Sequence, residues 1–382
     1  MAAPLKTAIS SGAGGFVPRA VFEVSPSITR SYFLGHHAGA LASMRKVLSN
    51  INLILECRDS RVPLTSANPL LETELAGRDR IVVYTKADLC AEASENRWLD
   101  KQKKLLSDFH SQRSGIIREN DGQSGGLGST NVVFTNEANA RSIKKLIDII
   151  KDRATAVDSL TGLRALVVGM PNAGKSTLLN ALRRVGMQRA KAARTGAQPG
   201  VTRKLSTPVR VIPEDSASGL DAGVFVVDTP GVFVPYVGDV EAMLKLALVG
   251  CVKDGLVPAE TVADYLLFRL NLKDPRTYGE LSAPTNDVRE FLDAVARRTG
   301  KLLKGGVPSQ EQAADWVVQQ WRKGNLGRFG LDDVSEENLR VWTAKALAGD
   351  EAQPLSMNQA RKREKEARKE RNAAKRRAAE AV

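Results

Sequence analysis

The chain has 382 residues, enough for two domains, and its 42% hydrophobic and 26% charged content is typical of globular proteins. No apolar run reaches the roughly 18 residues of a transmembrane segment, and three scattered cysteines without a CxxC pair, beside only three histidines, argue against a disulfide framework or a zinc site. We therefore expect Cys57, Cys90 and Cys251 to be small buried apolar residues. The formal net charge of +13 favours a polyanionic partner, either nucleic acid or an anionic membrane surface.

The first 30 residues have the composition of a mitochondrial transit peptide. They contain the cations Lys6, Arg19 and Arg30 but a single acid, Glu23, and they are rich in Ser, Ala and Gly. They also lack the continuous apolar core of a secretory signal. A plain disordered leader is the alternative interpretation of residues 1–30.

Residues 31–239 alternate between strand-like and helix-like segments. Short apolar runs predict six strands, and segments with helical spacing lie between them. This alternation predicts an α/β fold with a doubly wound, mostly parallel sheet and right-handed crossovers. The predicted strands are residues 51–56, 80–84, 131–134, 163–169, 207–212 and 223–228, and the predicted helices are residues 38–48, 94–109 and 140–154.

The pattern changes after Asp239. Residues 240–345 have helical apolar periodicity and few β-branched runs, which predicts a small all-helical domain with Trp316 and Trp321 in its core. A basic tail follows at 346–382, and residues 361–382 hold ten Lys or Arg against four Glu without an apolar stripe. We expect a solvated helix or disordered arm that contacts RNA, with a merely solubilising tail as the alternative.

A phosphate-binding loop is the strongest motif in the chain. The stretch GMPNAGKST, residues 169–177, matches GxxxxGK[ST] in full and lies between a predicted strand and a helix. Its glycines let backbone N–H groups wrap a phosphate, and the N-terminus of the helix points at the same anion. Lys175 is expected to reach the β and γ phosphates, and Ser176 to bind Mg²⁺. The predicted phosphate-binding residues are Asn172, Ala173, Gly174, Lys175, Ser176 and Thr177.

Two further motifs complete the predicted magnesium and γ-phosphate site. Asp228, in DTPG at the end of an apolar strand, suits the Mg²⁺ shell directly or through water, and Gly231 can offer its N–H to the γ-phosphate. Thr202, in the Gly/Pro-rich stretch GAQPGVTR, can close onto Mg²⁺ when the γ-phosphate is present, so we assign it a catalytic role beside Lys175. An ordinary turn threonine is the alternative for Thr202.

The stretch TKAD at 85–88 predicts recognition of guanine. Asp88 can accept two hydrogen bonds from guanine N1 and N2, which adenine does not offer, and Lys86 can lay its stem along the base. Thr85 replaces the usual Asn of NKxD, and we expect this change to weaken the neighbouring polar scaffold. In the loop FTNEAN, Thr135 and Asn136 are candidates to offer a backbone N–H to guanine O6. The sequence therefore predicts binding of GTP and GDP rather than adenine nucleotides.

The order of these motifs carries a resemblance. In the chain TKAD and FTNEAN precede GMPNAGKST, GVT and DTPG, and residues 31–345 resemble the YlqF/RbgA family of circularly permuted P-loop GTPases, most closely its mitochondrial branch. The stretches LECRDSRVPLTSANP, ALVGCVKDGLVP and WRKGNLGRF support the resemblance. It implies an assembly factor that binds the mitochondrial large ribosomal subunit and its rRNA. It also implies work on the matrix side of the inner membrane, with peripheral membrane contact.

The resemblance also bears on hydrolysis. Gly231 is followed by Val232 and Phe233 instead of a glutamine that orients water, and the family shares this apolar substitution. In YFLGHHAG, residues 32–39, His36 stands where the family has a histidine proposed for that role, and a surface or RNA-facing histidine is the alternative. Asn172 resembles the asparagine that holds K⁺ in cation-stimulated relatives, and it could equally serve the hydrogen bonding of its own loop.

Three functions are compatible with these motifs. The first is a slow GTPase, stimulated by the large subunit, in which the DTPG switch repositions the following helical domain and so changes affinity for pre-ribosomal RNA. The second is a nucleotide-dependent RNA or membrane tether with negligible turnover. The third is a ribosome-assembly GTPase of a related permuted family in the nucleolus or cytosol.

Overall fold

The computed structural model describes most of the chain between residues 15 and 347. The described residues are 15–24, 28, 35–120, 130–157, 159, 161–193, 196, 202, 205–216, 220–234, 237, 239–347 and 362, with the backbone alone at 35–36, 93, 113–120 and 345–347. The first 14 residues of the predicted leader and, apart from 346, 347 and 362, the predicted basic tail lie outside the described residues.

A six-stranded sheet forms the centre of the larger part of the molecule. Its strands are β1 (Leu53–Asp59), β2 (Arg80–Thr85), β3 (Thr130–Phe134), β4 (Leu163–Gly169), β5 (Val209–Ile212) and β6 (Val224–Asp228). They lie in the order β3-β2-β1-β4-β6-β5, with every pairing parallel except that of β5 with β6. The predicted doubly wound, mostly parallel α/β fold is therefore confirmed.

Helices cover both faces of this sheet, which explains why its strands read as continuous apolar runs. One face packs against α4 (Ala140–Val157) and α5 (Lys175–Met187). The other packs against α1 (Gly35–Val47) and α2 (Pro69–Glu74), and a further cluster joins α3 (Asn96–Asn120) to α10 (Glu336–Leu347). The short helix α6 (Val240–Leu248) follows the sheet in the chain, and Asp239 caps its N-terminus by accepting from Glu241 N and Ala242 N.

The chain divides into two compact units. The sheet unit comprises Val24–Pro258 and Arg322–Val382, and the helical unit comprises Met1–Glu23 and Ala259–Trp321. This division falls at other points than the predicted domains 1–30, 31–239, 240–345 and 346–382, because α6 and α10 belong to the sheet unit. The predicted domain boundaries themselves stay a prediction.

The helical unit contains α7 (Ala259–Lys273), α8 (Val288–Thr299) and most of α9 (Gln310–Arg322). Trp321 is 1% exposed in it, as expected of a core residue, whereas Trp316, also predicted in the core, is half-buried. Part of the predicted leader packs against α7, since Arg19 forms an ion pair of 2.5 Å with Asp264 and the Phe22 ring lies 5.3 Å from that of Tyr265. No helix in the described part of the chain is both long and apolar enough to cross a membrane.

Candidate functional site

The phosphate loop leaves the sheet at the end of its central strand β4. Gly169 has φ 142°, and a Cβ there would lie 2.3 Å from the carbonyl oxygen of Cys57, so glycine is required at this close approach. Gly174, with φ 83°, is the residue from which α5 begins at Lys175. Cys57 and the other two cysteines are buried free thiols, as the sequence predicts.

The Lys175 ammonium is buried within the phosphate loop. Its Nζ donates to the carbonyl oxygens of Met170 at 2.7 Å and Gly169 at 3.3 Å. Burial lowers the pKa of Lys175, and the nearby Asp228 carboxylate opposes that shift. The loop therefore places one poorly solvated positive charge at the start of α5, where an anionic phosphate would lower its desolvation cost.

The three predicted magnesium ligands come together beside this lysine. The Ser176 hydroxyl donates to Asp228 Oδ2 at 2.5 Å and lies 3.1 Å from the Thr202 hydroxyl. Asp228 Oδ1 is buried and has no hydrogen-bond partner among the described residues. Burial raises the pKa of the Asp228 carboxyl, while the Ser176 hydrogen bond and the Lys175 charge act in the opposite direction.

This donor set fits Mg²⁺. Hydroxyl and carboxylate oxygens are the ligands that a hard divalent cation prefers, and phosphate oxygens usually complete its shell. No group of three His, Cys, Asp or Glu in the described ranges could hold a metal by itself. A cation here would therefore depend on Ser176, Thr202 and Asp228 together with a bound phosphate.

We call residues 85–89, the predicted guanine-recognition segment, the base-reading turn; it begins at Thr85, the last residue of β2. Lys86 has a left-handed backbone with φ 56°, and the 3-10 turn Ala87–Leu89 carries Asp88 with an exposed side chain. The Thr85 hydroxyl donates to Ala173 O at 2.9 Å and approaches Arg58 O at 3.2 Å. This hydroxyl links the base-reading turn to the phosphate loop. The expected weakening of the polar scaffold relative to Asn stays a prediction.

Lys86 joins the same two loops through its charge. Its Nζ donates to Asn172 O at 2.9 Å and to Asp59 Oδ2 at 2.8 Å. Asp59 also accepts from Arg61 Nε at 3.0 Å and from Arg61 Nη2 at 2.8 Å. Burial by itself would raise the pKa of Asp59, but Arg61 and Lys86 hold it well below its usual range. Sequence reasoning missed Asp59 and Arg61, although two charges directly after a buried strand are a signal that could have found them.

The FTNEAN loop lies beside the base-reading turn. Ala87 N donates to Thr135 O at 3.1 Å, which holds the two segments together. The Thr135 N–H donates to Tyr84 O at 2.8 Å, and the Asn136 N–H donates to the Ser142 hydroxyl at 3.1 Å. A contact of either N–H with guanine O6 would have to replace or share one of these hydrogen bonds. That contact stays a prediction.

The switch glycine is packed onto the phosphate loop. A Cβ at Gly231 would lie 2.6 Å from the backbone of Pro171, and Val232 N donates to Gly169 O at 3.1 Å. His37 Nδ1 donates to Gly231 O at 2.9 Å, so α1 contacts the switch directly. His37 is 1% exposed, and sequence reasoning missed it in favour of its neighbour His36, whose side chain lies outside the described residues.

The remaining predicted residues are also placed. Thr177 is half-buried in the first turn of α5. Asn172 has φ 55°, and its Nδ2 donates to Gly250 O at 2.8 Å, just beyond the end of α6. Val232 and Phe233 are 2% and 0% exposed. These two residues therefore pack into the interior.

A family profile and a solved structure are similar to parts of this chain. A family profile described as 50S ribosome-binding GTPase matches residues 164–295. Among solved structures, GNP-bound YlqF from T. maritima is similar with a TM-score of 0.46 at 22% identity, over 78% of this chain and 99% of that one.

Curated relatives match over nearly their whole length. Mitochondrial GTPase 1 of Schizosaccharomyces pombe is 37% identical over 328 residues, which span 85% of this chain and 96% of the relative. Mitochondrial ribosome-associated GTPase 1 of Xenopus tropicalis is 32% identical over 333 residues, which span 82% of this chain and 98% of the relative. The chain therefore belongs to the family of circularly permuted GTPases that includes mitochondrial GTPase 1 and mitochondrial ribosome-associated GTPase 1.

Proposed function

We propose that this chain is a GTP-hydrolysing assembly factor for the mitochondrial large ribosomal subunit. The observation that carries the proposal is the hydrogen bond from Thr85 to Ala173, which joins a guanine-type recognition turn to a phosphate loop in one site. The names of its relatives, mitochondrial GTPase 1 and mitochondrial ribosome-associated GTPase 1, support the compartment and the ribosomal partner.

We propose the following roles for the predicted site residues. Asp88 reads the guanine edge, and Lys86 and Thr85 fix the turn that carries it. Lys175 and the backbone of residues 172–177 bind the β and γ phosphates, and Gly231 offers its N–H to the γ-phosphate. Ser176, Thr202 and Asp228 hold Mg²⁺, which when bound neutralises charge on the phosphoryl oxygens. We propose that His36 positions the attacking water.

Phosphate release and subunit binding test this function together. Purified protein with GTP and Mg²⁺ is expected to release phosphate slowly, and mitochondrial large subunits are expected to accelerate the release. With a non-hydrolysable GTP analogue, the protein is expected to bind those subunits more tightly than with GDP. The reason is that the switch after Asp228, once ordered by the γ-phosphate, can move α6, which starts at Val240. Equal binding in both nucleotide states would contradict this switch.

A nucleotide-dependent RNA or membrane tether is the second candidate. The burial of Val232 and Phe233 favours it, since neither residue can orient a water molecule. A tether would bind large subunits in a GTP-dependent way and release no phosphate in their presence. Binding without release therefore selects the tether, and release that depends on the subunit selects the enzyme.

Potassium is a finer proposal for the same site. We propose that K⁺ near Asn172 supplies a fixed positive charge during hydrolysis. The hydrogen bond from Asn172 Nδ2 to Gly250 O supports the competing view, in which this side chain serves only its own loop. Faster turnover in KCl than in NaCl at equal ionic strength would support K⁺, and equal turnover would reject it.

The finer location is also a proposal: the matrix side of the inner membrane, with peripheral contact. Alkaline extraction of purified mitochondria is expected to release the protein from membranes. Imaging of the tagged chain distinguishes this location from the nucleolus or cytosol, where related permuted families act.

A further inference from the structure

A segment outside the nucleotide motifs holds both ends of the base-reading turn. It contacts the C-terminal end directly and the N-terminal end through the loop after β1. This return strap, residues 322–332, follows the helical unit in the chain and belongs to the sheet unit. Its apolar side chains Leu326, Phe329 and Leu331 are 4%, 6% and 1% exposed. Because these apolar side chains are removed from water, the strap is a packed part of its unit.

The strap first meets the C-terminal end of the base-reading turn. A Cβ at Gly324 would lie 2.7 Å from Leu89 Cδ2, and Gly324 has φ 80°, a conformation that favours glycine. Four residues later, Arg328 N donates to Glu92 Oε1 at 2.8 Å. The residues immediately after Asp88 are therefore held by the strap.

The N-terminal end of the turn is held by the loop that follows β1. The Ser60 N–H and hydroxyl both donate to Thr85 O, at 3.0 Å and 2.6 Å. Asp59 accepts from Lys86 Nζ at 2.8 Å. The direction in which the turn leaves β2 therefore depends on where residues 59–65 lie.

The strap also holds the loop at residues 59–65 in place. Leu331 N donates to Arg61 O at 2.7 Å. The Asp332 carboxylate accepts from Leu64 N at 2.9 Å, from Thr65 N at 2.8 Å and from the Thr65 hydroxyl at 2.5 Å. The Asp332 side chain is 4% exposed. Lys245 Nζ, on α6, donates to the same carboxylate at 3.4 Å. Four hydrogen bonds, three of them from the loop at 64–65, therefore converge on this one buried carboxylate.

We propose that the return strap determines guanine specificity by clamping both ends of the base-reading turn, with Asp332 and Glu92 as positioning residues for Asp88. The proposal rests on the proposed function, in which Asp88 reads guanine. The Asp88 side chain is exposed on a turn of three residues, so its aim at guanine N1 and N2 depends on the fixed ends of that turn. Hydrogen bonds weaken steeply when misaligned, so a loosened turn loses part of its preference for guanine.

Two adjacent aspartates provide a matched test. Asp332→Ala releases the loop at 64–65, whereas Asp333→Ala removes an exposed carboxylate whose hydrogen bonds go to Ser335 and Asn338. Calorimetry with Mg²⁺ measures the dissociation constants of GDP and of IDP, whose base lacks the 2-amino group that Asp88 would bind. We expect Asp332→Ala to lower the IDP-to-GDP ratio of dissociation constants at least about threefold, Asp332→Asn to lower it less, and Asp333→Ala to leave it unchanged.

A second matched pair guards against loss of folding in Asp332→Ala. Glu92 accepts from Arg328 N and also forms a capping box with Glu95. Glu92→Ala is expected to lower the ratio, while Glu95→Ala, which removes half of the capping box and keeps the strap contact, is expected to preserve it. If the unaltered protein prefers guanine but Asp332→Ala and Glu92→Ala both leave the IDP-to-GDP ratio of dissociation constants unchanged, this proposal is overturned. The proposed function would stand in that case. Absence of GDP binding by the unaltered protein would contradict the proposed function and this inference with it.

Discussion

The Thr85 hydroxyl donates a 2.9 Å hydrogen bond to the carbonyl oxygen of Ala173, although the two residues are 88 positions apart in the chain. The contact exists because β1 lies between β2 and β4 in the sheet, so the carboxyl ends of all three parallel strands meet at one edge. Ligands of open α/β sheets bind at this edge. The reversed order of the motifs therefore changes where the chain begins and leaves the site geometry intact.

Removal of that hydroxyl is expected to weaken nucleotide binding. Thr85→Val keeps the shape of the side chain but leaves the Ala173 carbonyl without its partner, and a lost hydrogen bond of this kind costs about 0.5–1.5 kcal/mol. We therefore expect GDP affinity, measured by calorimetry, to fall roughly 2- to 10-fold. Thr85→Ser is the control because it keeps the hydroxyl. A Val variant that binds GDP like the unaltered protein would show that the contact is dispensable.

The buried pair of Asp59 and Arg61 is expected to matter for stability. Asp59→Asn leaves the Arg61 guanidinium, 1% exposed, without its counter-charge, and breaking a buried pair costs about 3–5 kcal/mol. The double change Asp59→Asn with Arg61→Leu is expected to recover part of this loss. Urea unfolding at neutral pH measures both effects, and an Asn variant as stable as the unaltered protein would contradict the account.

The same carboxylate gives a pH dependence. Because Arg61 and Lys86 hold the pKa of Asp59 below its usual range, the stability it contributes is present above its unfolded pKa of about 3.9. That stability is lost as the pH falls through the folded pKa. The difference in free energy of unfolding between the unaltered protein and Asp59→Asn, measured by urea unfolding, is thus expected to narrow only below about pH 4.

Asp228 is expected to behave in the opposite way. Burial raises the pKa of its carboxyl, so in the native state its ionisation costs stability as the pH rises through the folded pKa. Without Mg²⁺ and nucleotide, Asp228→Asn is therefore expected to melt at a higher temperature than the unaltered protein at neutral pH. That gain in melting temperature is expected to vanish below about pH 4, where the Asp228 carboxyl is protonated in both the folded and the unfolded protein.

Addition of Mg²⁺ and GTP provides the control for the Asp228 experiment. Loss of the carboxylate then removes a cation ligand, so the unaltered protein is expected to gain more thermal stability from Mg²⁺–GTP than Asp228→Asn does. Equal gains in the two proteins would exclude Asp228 from the cation site.

The neighbouring histidines are expected to have separable roles. His37→Leu removes the donor to Gly231 O, so the affinity for a GTP analogue is expected to fall roughly 2- to 10-fold with a smaller effect on GDP. His37→Asn can place an amide N–H near the Nδ1 position and is expected to restore binding. His36→Ala is expected to lower turnover stimulated by the subunit while both affinities persist. A Leu variant with unchanged discrimination between the two nucleotides would exclude His37 from the switch.

The sequence predicts the parts of this site whose chemistry is local. The phosphate loop, Asp228 and Asp88 are each recognisable because a few adjacent residues, next to a strand of apolar residues, carry the whole signal. The meeting of Ser176, Thr202 and Asp228 also follows from those motifs, since a phosphate and a cation must lie between them.

The parts that the sequence did not predict depend on distant partners. The predicted strand 51–56 stops before the charged residues of LECRDSR, whereas β1 continues to Asp59, with Arg58 and Asp59 1% and 0% exposed. Arg58 and Asp59 have counter-charges nearby in the chain, Glu56 and Arg61. Their ion pairs are completed by Glu72 and Lys86 from other segments, and these distant partners are not visible in a local pattern. Most of the return strap lies in the stretch WRKGNLGRF, which supports the family resemblance. Its contacts are not visible in the sequence, because Arg328 meets Glu92 across 236 positions.

The most direct test of a single site built from inverted motifs is calorimetry of GDP binding in the presence of Mg²⁺. The unaltered protein is expected to bind one GDP and to discriminate strongly against ADP. Asp88→Ala alters the base-reading turn at the end of β2, and Lys175→Ala alters the phosphate loop after β4. Each is expected to reduce GDP affinity at that one site by at least about 10-fold. Absence of GDP binding, or full GDP affinity in Asp88→Ala, would contradict the account.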